Sequence, residues 1–383
     1  MSNHSIQITE APKGKAYKDF LEVPYIVQGN NPVWVPPLRV QAKEMFDEKK
    51  NPFFEHAQMR RFVAYKDGRP VGRIAAIKDD AHNSTHNENT CHWGHFETIE
   101  DRDVAAALFA KVEDAGREWG FDTLRGPFNP SINEDIGILL DAYDQRPTIM
   151  MPYNPPYYPR FIDELGYDKA MDIVCFHMRS DKMSPRLARS AEALRKRSKL
   201  RFRNFNPKDF WTDAYKLWEI YKVAWEKNWG AVPMTDNEFK HLATNLKQVY
   251  DHRLIYFVED PAKDNKLVAF SMGLPDINEA VIKIRDGRLF PFGLLKLMWH
   301  TRKGALNKGR GILMGVLEEY RGRGIDAVMY YDHFIDGPRY GYTEGELGWV
   351  LETNGPMMKA AEMMGATRSK TYRMYEKQLS VLS

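Results

Sequence analysis

Cysteine is nearly absent from the 383 residues, with Cys91 and Cys175 the two examples. Two thiols cannot build a disulfide framework, and so low a count suits a reducing compartment. A charge of one sign is missing as well. Lys and Arg number 55 against 52 Asp and Glu, a formal net charge of +3, so there is no global field for nucleic acid or an anionic membrane, and any basic site must be local. No apolar run reaches the length of a membrane-spanning helix. The opening MSNHSIQITEAPKGK lacks the apolar core and small-residue cleavage site of a secretory signal. A cytoplasmic protein is expected, with no membrane partner and with nucleic acid disfavoured.

What is present describes a folded chain. Hydrophobic residues make up 43%, aromatics 13% and charged residues 28%, unlike the composition of disorder. The length exceeds what one core organises, which predicts two domains. In MRRFVAYKDGRPVGRIAAIKDD two alternating runs flank Asp67-Gly68, a hairpin turn, so Met59 to Lys78 reads as a hairpin. The strand CHWGHFETI follows, and then a helix whose Val104, Leu108, Val112 and Ala115 share one face, with Asp101 as its cap and Gly120 as its stop. DTLRGPF, RFIDELG and MDIVCFHM add a strand, a short helix and a strand.

That order returns half a chain later. RLIYFVEDPAKDNKLVAFSMGL reads as a hairpin, RGILMGVLEEY as a strand leading into the helix GIDAVMYYDHFI, and GELGWVLE, GPMMKAAEMMG and KTYRMYEKQL as strand, helix and strand. A repeated element order is the mark of a duplicated fold. The expected division is a first domain over 1–180, a basic linker over 181–206 and a second domain over 207–383. The second copy adds a helical region, FWTDAYKLWEIYKVAWEKNW, and an inserted apolar helix, FPFGLLKLMWHTRK, each expected to pack in a core or to cover a cleft.

The segment Val316 to Ala327, VLEEYRGRGIDA, carries the sharpest chemistry. A strand ends, glycines permit a tight turn and a helix begins, so consecutive N–H groups can face one concave site at a positive helix end and grip a diphosphate. Arg321 and Arg323 add charge. The alternative is a glycine-rich turn that merely starts a helix. The matching turn of the first copy, Glu100-Asp101-Arg102-Asp103, has no glycine and three carboxylates and should reject a diphosphate. Asn129, Ser131, Asn133 and Glu134 form a polar loop beside the aromatic turn from Tyr153 to Tyr158, suited to binding or simply to turning. His82, His86, Cys91, His92 and His95 crowd together, but their spacing fits no familiar zinc site, so no metal is expected. Eight Lys or Arg between Arg186 and Arg203 read as a solvated linker helix, or as a patch for RNA or phospholipid.

Arg321-x-x-Gly324, set after a strand ending Gly315-Val316-Leu317, resembles the pyrophosphate loop of the GNAT superfamily. NPFFEHA, GRPVGRIAAI, LRGPFNPSINEDIG, YNPPYYP and GRLFPFGLLKL resemble a bacterial family of N-acetyltransferases over nearly the whole chain. The resemblance implies an α+β fold of two tandem GNAT-like domains, each a mixed, mostly antiparallel sheet flanked by helices. It implies an N-acyltransferase that takes acetyl-coenzyme A or another acyl-coenzyme A and a small-molecule or peptide amine, with a homodimer left open. Val316, Leu317, Arg321, Gly322, Arg323, Gly324 and Ile325 would hold the donor, with Asn354 on its pantetheine. Asp276 and Asn278 would hold the acceptor. Two positions depart from the superfamily: Asp326 replaces a Gly or Ala in the first helical turn, and Ala361 stands where the acidic Tyr belongs. Glu346 and Tyr372 are the candidates to replace that acid, with Glu352 and Tyr375 also near. The rival readings are a non-catalytic binding protein of the same fold and a transferase that takes aminoacyl-tRNA as donor.

Overall fold

A computed structural model describes residues 5–225 and 228–380. The chain divides into two compact units that interleave in sequence. Unit 1 takes Met1–Ile173, Val281–Leu297 and Thr371–Ser383, and unit 2 takes Val174–Ala280 and Met298–Lys370. A contiguous boundary at 181–206 is the simpler expectation, but the chain leaves unit 1 at Val174, returns to it over Val281–Leu297 and returns again from Thr371.

In unit 1, β1 (Ile6–Glu10) is followed by α1 (Gly14–Gln28) and α2 (Arg39–Met45), and then by β2 (Ala57–Lys66) and β3 (Arg69–Asp79). These two strands form the expected hairpin, with Asp67 and Gly68 both at positive φ (52° and 72°), the backbone that a two-residue turn of this type demands. After α3 (Asp80–His86), β4 (Thr90–Thr98) pairs antiparallel with β3, and α4 (Arg102–Glu118) carries the chain to β5 (Thr123–Gly126), which lies parallel to β4. The expected stripe of α4 is buried: Val104, Leu108, Val112 and Ala115 sit in a core with Trp93, Phe96, Phe109 and Tyr158. Short strands β6 (Phe128–Asn129), β7 (Asp135–Ile136) and β8 (Ile138–Leu139), helix α5 (Tyr157–Glu164) and the first half of β9 (Asp168–Arg179) complete this run.

Unit 2 repeats the plan. α6 (Pro185–Arg197) and β10 (Arg201–Asn204) occupy the stretch expected as linker, and α6 is docked by an ion pair from Arg195 to Asp332. α7 (Phe210–Trp225) and α8 (Asp236–Leu246) precede the antiparallel pair β11 (Ile255–Asp260) and β12 (Lys266–Pro275). After α9 (Asn278–Val281) and α10 (Gly293–His300), the latter reached through the Val281–Leu297 stretch of unit 1, comes β13 (Lys308–Val316), antiparallel to β12. α11 (Ile325–Tyr340) then leads to β14 (Glu344–Leu351), parallel to β13. Each unit is thus a mixed, mostly antiparallel sheet with one parallel pair bridged by one helix. α12 (Gly355–Met364) and β15 (Thr367–Gln378) end the fold. From Thr371 onward β15 belongs to unit 1, where Tyr375 to Gln378 pair with β5. β5 needs a partner on its outer edge, and a strand far away in sequence supplies it.

Candidate functional site

The ladder between β13 and β14 runs from Lys308 and Glu344 to Gly311 and Leu347. Beyond it both strands continue, β13 to Val316 and β14 to Leu351, but they are no longer paired with each other. A cleft of about 690 Å³ occupies unit 2 around this gap, lined by Leu313, Met314, Val316, Trp349, Val350 and Met357 among others. The Leu317 N–H bonds Val268 O at 3.0 Å, so Leu317 is turned toward β12. Alternation along an antiparallel ladder then turns the amides of Met314 and Val316 the other way, into the gap. Of these two residues expected to hold the donor, the Leu317 amide is therefore committed and the Val316 amide faces the opening.

The loop past β13 sits at the mouth of this cleft. Glu318 to Tyr320 make a tight turn in which the Arg321 N–H bonds Glu318 O, and Gly322 and Gly324 follow at φ 72° and 77°. Those angles are cheap for glycine and strained for other residues. Gly324 caps α11 with no side chain over the helix end. Among the described residues no protein acceptor meets the N–H groups from Gly322 to Asp326. A helix start with free amides and no competing carboxylate is an anion site. Asp326 lines the cleft but hydrogen-bonds none of these amides; its charge is felt by Tyr330, one turn on.

Arg321, Gly322, Gly324, Ile325 and Asn354 line the cleft together with Val316. Arg321 Nε donates to Val316 O at 3.1 Å, tying the loop to the strand end. Arg323 lies outside the wall, its guanidinium over the Tyr320 ring at 4.8 Å. Asn354 caps α12, its Oδ1 accepting from the Met357 N–H at 3.2 Å.

The four residues expected to act on the substrate are placed elsewhere. The Glu346 carboxylate is buried in an ion pair with Lys370, itself 3% exposed. Tyr372 is fully buried in unit 1, where its hydroxyl donates to Pro152 O at 3.2 Å. Asp276 is fully buried, and its Oδ1 accepts from the N–H of Asn278, the first residue of α9, at 3.2 Å. None of the four contributes to the cleft wall. The polar strand-end residues that looked available from sequence are used to satisfy the fold.

A pair that sequence reasoning missed does line it. Ser271 Oγ and His333 Nε2 are 2.7 Å apart, and both face the cleft. The imidazole packs edge-on against Tyr256 at 4.6 Å, and burial pushes its pKa down to about 4, so it is neutral at neutral pH. Sixty-two residues separate the two, and only the packing of α11 on the sheet joins them. No local signal in either segment could have announced the pair.

In unit 1 the equivalent helix end is closed. Asp101 Oδ1 accepts from the N–H groups of Asp103 at 3.0 Å and Val104 at 3.4 Å, while Oδ2 takes Lys66 Nζ at 2.7 Å. The polar loop nearby is also spent on itself: Asn129 Oδ1 accepts from the His95 N–H at 2.6 Å, and Ser131 Oγ from the Asn133 N–H at 3.2 Å. Among the histidines, His92 stacks on Phe128 at 4.1 Å and His82 bonds Glu88 at 3.2 Å. No group of three or more metal-ligating side chains is formed among the described residues.

No known family model matches the chain. Two curated proteins do, nearly end to end. Protein YghO of Escherichia coli (strain K12) is 35% identical over 94% of this chain and 93% of its own length. Bacterial ceramide synthase of Caulobacter vibrioides is 33% identical over 99% of both. Among solved structures, a tandem GNAT protein from the clavulanic acid biosynthesis pathway matches with a TM-score of 0.57 at 12% identity, covering 98% of this chain and 99% of that one. A GCN5-related N-acetyltransferase from Sphaerobacter thermophilus gives 0.51 at 15% identity, covering 98% and 96%. The structural matches speak for the fold, and the curated relatives for the family.

Proposed function

Because the chain belongs to the bacterial family of protein YghO and bacterial ceramide synthase, within the tandem-domain GNAT acyltransferases, we propose that its second domain transfers an acyl group from acyl-coenzyme A to an amine. The observation that carries this reading is the row of free amides from Gly322 to Asp326 at the mouth of a cleft opened by two splayed strands. The amides and Arg321 would hold the diphosphate, and the gap beside Val316 and Asn354 would take the pantetheine. The amine attacks the thioester carbonyl, the C–N bond forms, the C–S bond breaks, and the proton lost by the amine is returned to the thiolate. The Val316 N–H faces the gap where the carbonyl oxygen gathers charge. His333, neutral and bonded to Ser271, supplies a polar pair in an otherwise apolar wall and fixes the orientation of that hydroxyl.

The relative's name suggests the acceptor class. A ceramide is the amide of a fatty acid and a long-chain amino alcohol, and walls of Leu313, Met314, Trp349, Val350 and Met357 suit long apolar chains. Calorimetric titration with acetyl- and palmitoyl-coenzyme A, followed by mass spectrometry of products over long-chain amino alcohols, small amines and peptide amines, tests the reading. Donor binding with amide formation on one class supports it, and no donor binding defeats it. The rival of a binding protein without turnover has one observation in its favour, since Glu346 and Tyr372 are both committed to the interior. Donor binding without product over the whole panel would establish that rival.

A further inference from the structure

The inserted segment 288–303 does not pack as a core helix. Phe290, Phe292, Leu295, Met298 and Trp299 are each between 62% and 75% exposed, and Leu294 is exposed beside them. Six of the eleven exposed large apolar side chains among the described residues thus fall within ten positions. Apolar side chains scattered singly over a surface are ordinary, but a contiguous cluster marks a contact site.

The orientation of α10 makes the point sharper. At about 100° per residue, Leu294, Leu295, Met298 and Trp299 form one stripe, and Gly293 falls on the opposite side. Gly293 is the buried residue of the helix: a Cβ there would meet Arg288 O at 1.9 Å. The helix therefore turns its small residue to the protein and its apolar stripe to solvent, the reverse of a surface helix that packs on its own core. Its base is firmly held. Arg285 donates to the carbonyls of Trp34, Gly29 and Asn31 at 2.7, 3.0 and 2.5 Å, and Gly287 O accepts from the Arg39 N–H at 3.0 Å. Val40, next to Arg39, and Ile26 on α1 are also half exposed or more.

The charge of the segment identifies what covers it. From Gly287 to Arg310 there is no Asp or Glu, while Arg288, Lys296, Arg302, Lys303 and Lys308 are all present. Lys296 and His300, four residues apart, share one flank of α10, and the Arg302 guanidinium lies over the Trp299 ring at 4.3 Å. A second copy of this chain would bring like charges face to face. An anionic bilayer takes the aromatic and aliphatic side chains at its acyl boundary and the cations at its headgroups. We propose that segment 288–303 is a membrane-interface anchor that seats the protein peripherally on an anionic phospholipid surface. Among the described residues no helix is long and apolar enough to cross a membrane, so the contact lies along the surface. Net charge and span length, which argued against a membrane partner, register neither a local basic segment nor an outward-facing stripe.

The proposal is independent of the acyl-transfer reading, and its test needs no turnover. The full chain is sedimented with vesicles of phosphatidylcholine alone and with vesicles of phosphatidylcholine and phosphatidylglycerol in equal parts, at low and high salt. Binding should favour the anionic vesicles and weaken with salt. The triple variant Phe292→Ser, Leu295→Ser, Trp299→Ser should partition at least about 100-fold more weakly, with an unchanged melting temperature because all three side chains are exposed. Lys296→Glu with Arg302→Glu and Lys303→Glu should abolish the anionic preference. A wild-type chain that stays in the supernatant with both vesicles overturns the proposal, as does a triple variant that sediments like wild type. So does a wild-type dimer in light scattering that the triple variant converts to monomer with no vesicle binding.

Discussion

α4 and α11 hold the same place in the two halves of the chain: each follows the inner strand of an antiparallel set and leads to a parallel neighbour. Their first turns are opposite in chemical state. At α4 the Asp101 carboxylate occupies two amides and is itself neutralised by Lys66. At α11 a glycine at positive φ leaves the amides open, and Arg321 stands beside them. One backbone plan has thus been closed by a residue that stabilises it and kept open by a residue that does not. The difference shows that an anion site of this kind is defined less by the fold than by what the protein declines to put at its helix end.

The largest effect should come from making the open end resemble the closed one. Gly322 has open space where a Cβ would go, and aspartate tolerates its backbone angle better than most residues. Gly322→Asp should weaken acyl-coenzyme A binding by about 100-fold or more through like-charge repulsion, with the fold retained. Calorimetry that finds unchanged affinity would remove the loop from the donor site.

A second effect separates the helices by pH. The ninth residue after the cap is His333 in α11 and exposed Ala110 in α4. The folded pKa of His333 is lowered from 6.5 to about 4, so protonation favours the unfolded chain. Its neutral form is at no disadvantage above pH 6.5, and stability falls as the pH drops from there through 4, by on the order of 3 kcal/mol in all. Urea titrations of wild type and His333→Gln should diverge over that window; parallel curves would contradict the burial of this imidazole.

The converse change at the closed end is smaller. Asp101→Ala removes the cap and should cost about 1 kcal/mol of stability, with no gain of nucleotide binding, since Glu100 and Asp103 still flank that helix end. Chemical denaturation and titration with acetyl-coenzyme A check both halves of that statement. Smallest of all, Asp326→Asn should tighten donor binding by about threefold, because it removes a carboxylate from the first turn of the open helix. A looser complex would show that Asp326 contributes to the site.

The features legible in the sequence are those that depend on neighbours along the chain. The Asp67-Gly68 hairpin, the buried stripe of α4 and the contrast between RGRG and EDRD all rest on a few adjacent residues and a local conformation. Legibility fails where a polar residue could serve either the fold or a ligand. Glu346, Tyr372 and Asp276 have the right chemistry near strand ends, but whether each carboxyl or hydroxyl turns to the cleft depends on Lys370, Pro152 and Asn278, and sequence patterns do not predict such partners. The inserted segment 288–303 fails for a related reason: periodicity reports that a stripe exists and is silent on which way it faces.

The sequence by itself therefore determined the kind of elements, the duplicated plan and the glycine turn after β13, since these rest on residues adjacent in the chain, whereas the fold decided that Asp326 leaves the amides of that turn open. Tertiary structure alone decided that β15 returns to unit 1, that Ser271 meets His333, that Glu346 is spent on Lys370 and that α10 turns its apolar stripe outward. Each of these depends on contacts between distant residues, and those are settled by packing and burial rather than by local preference.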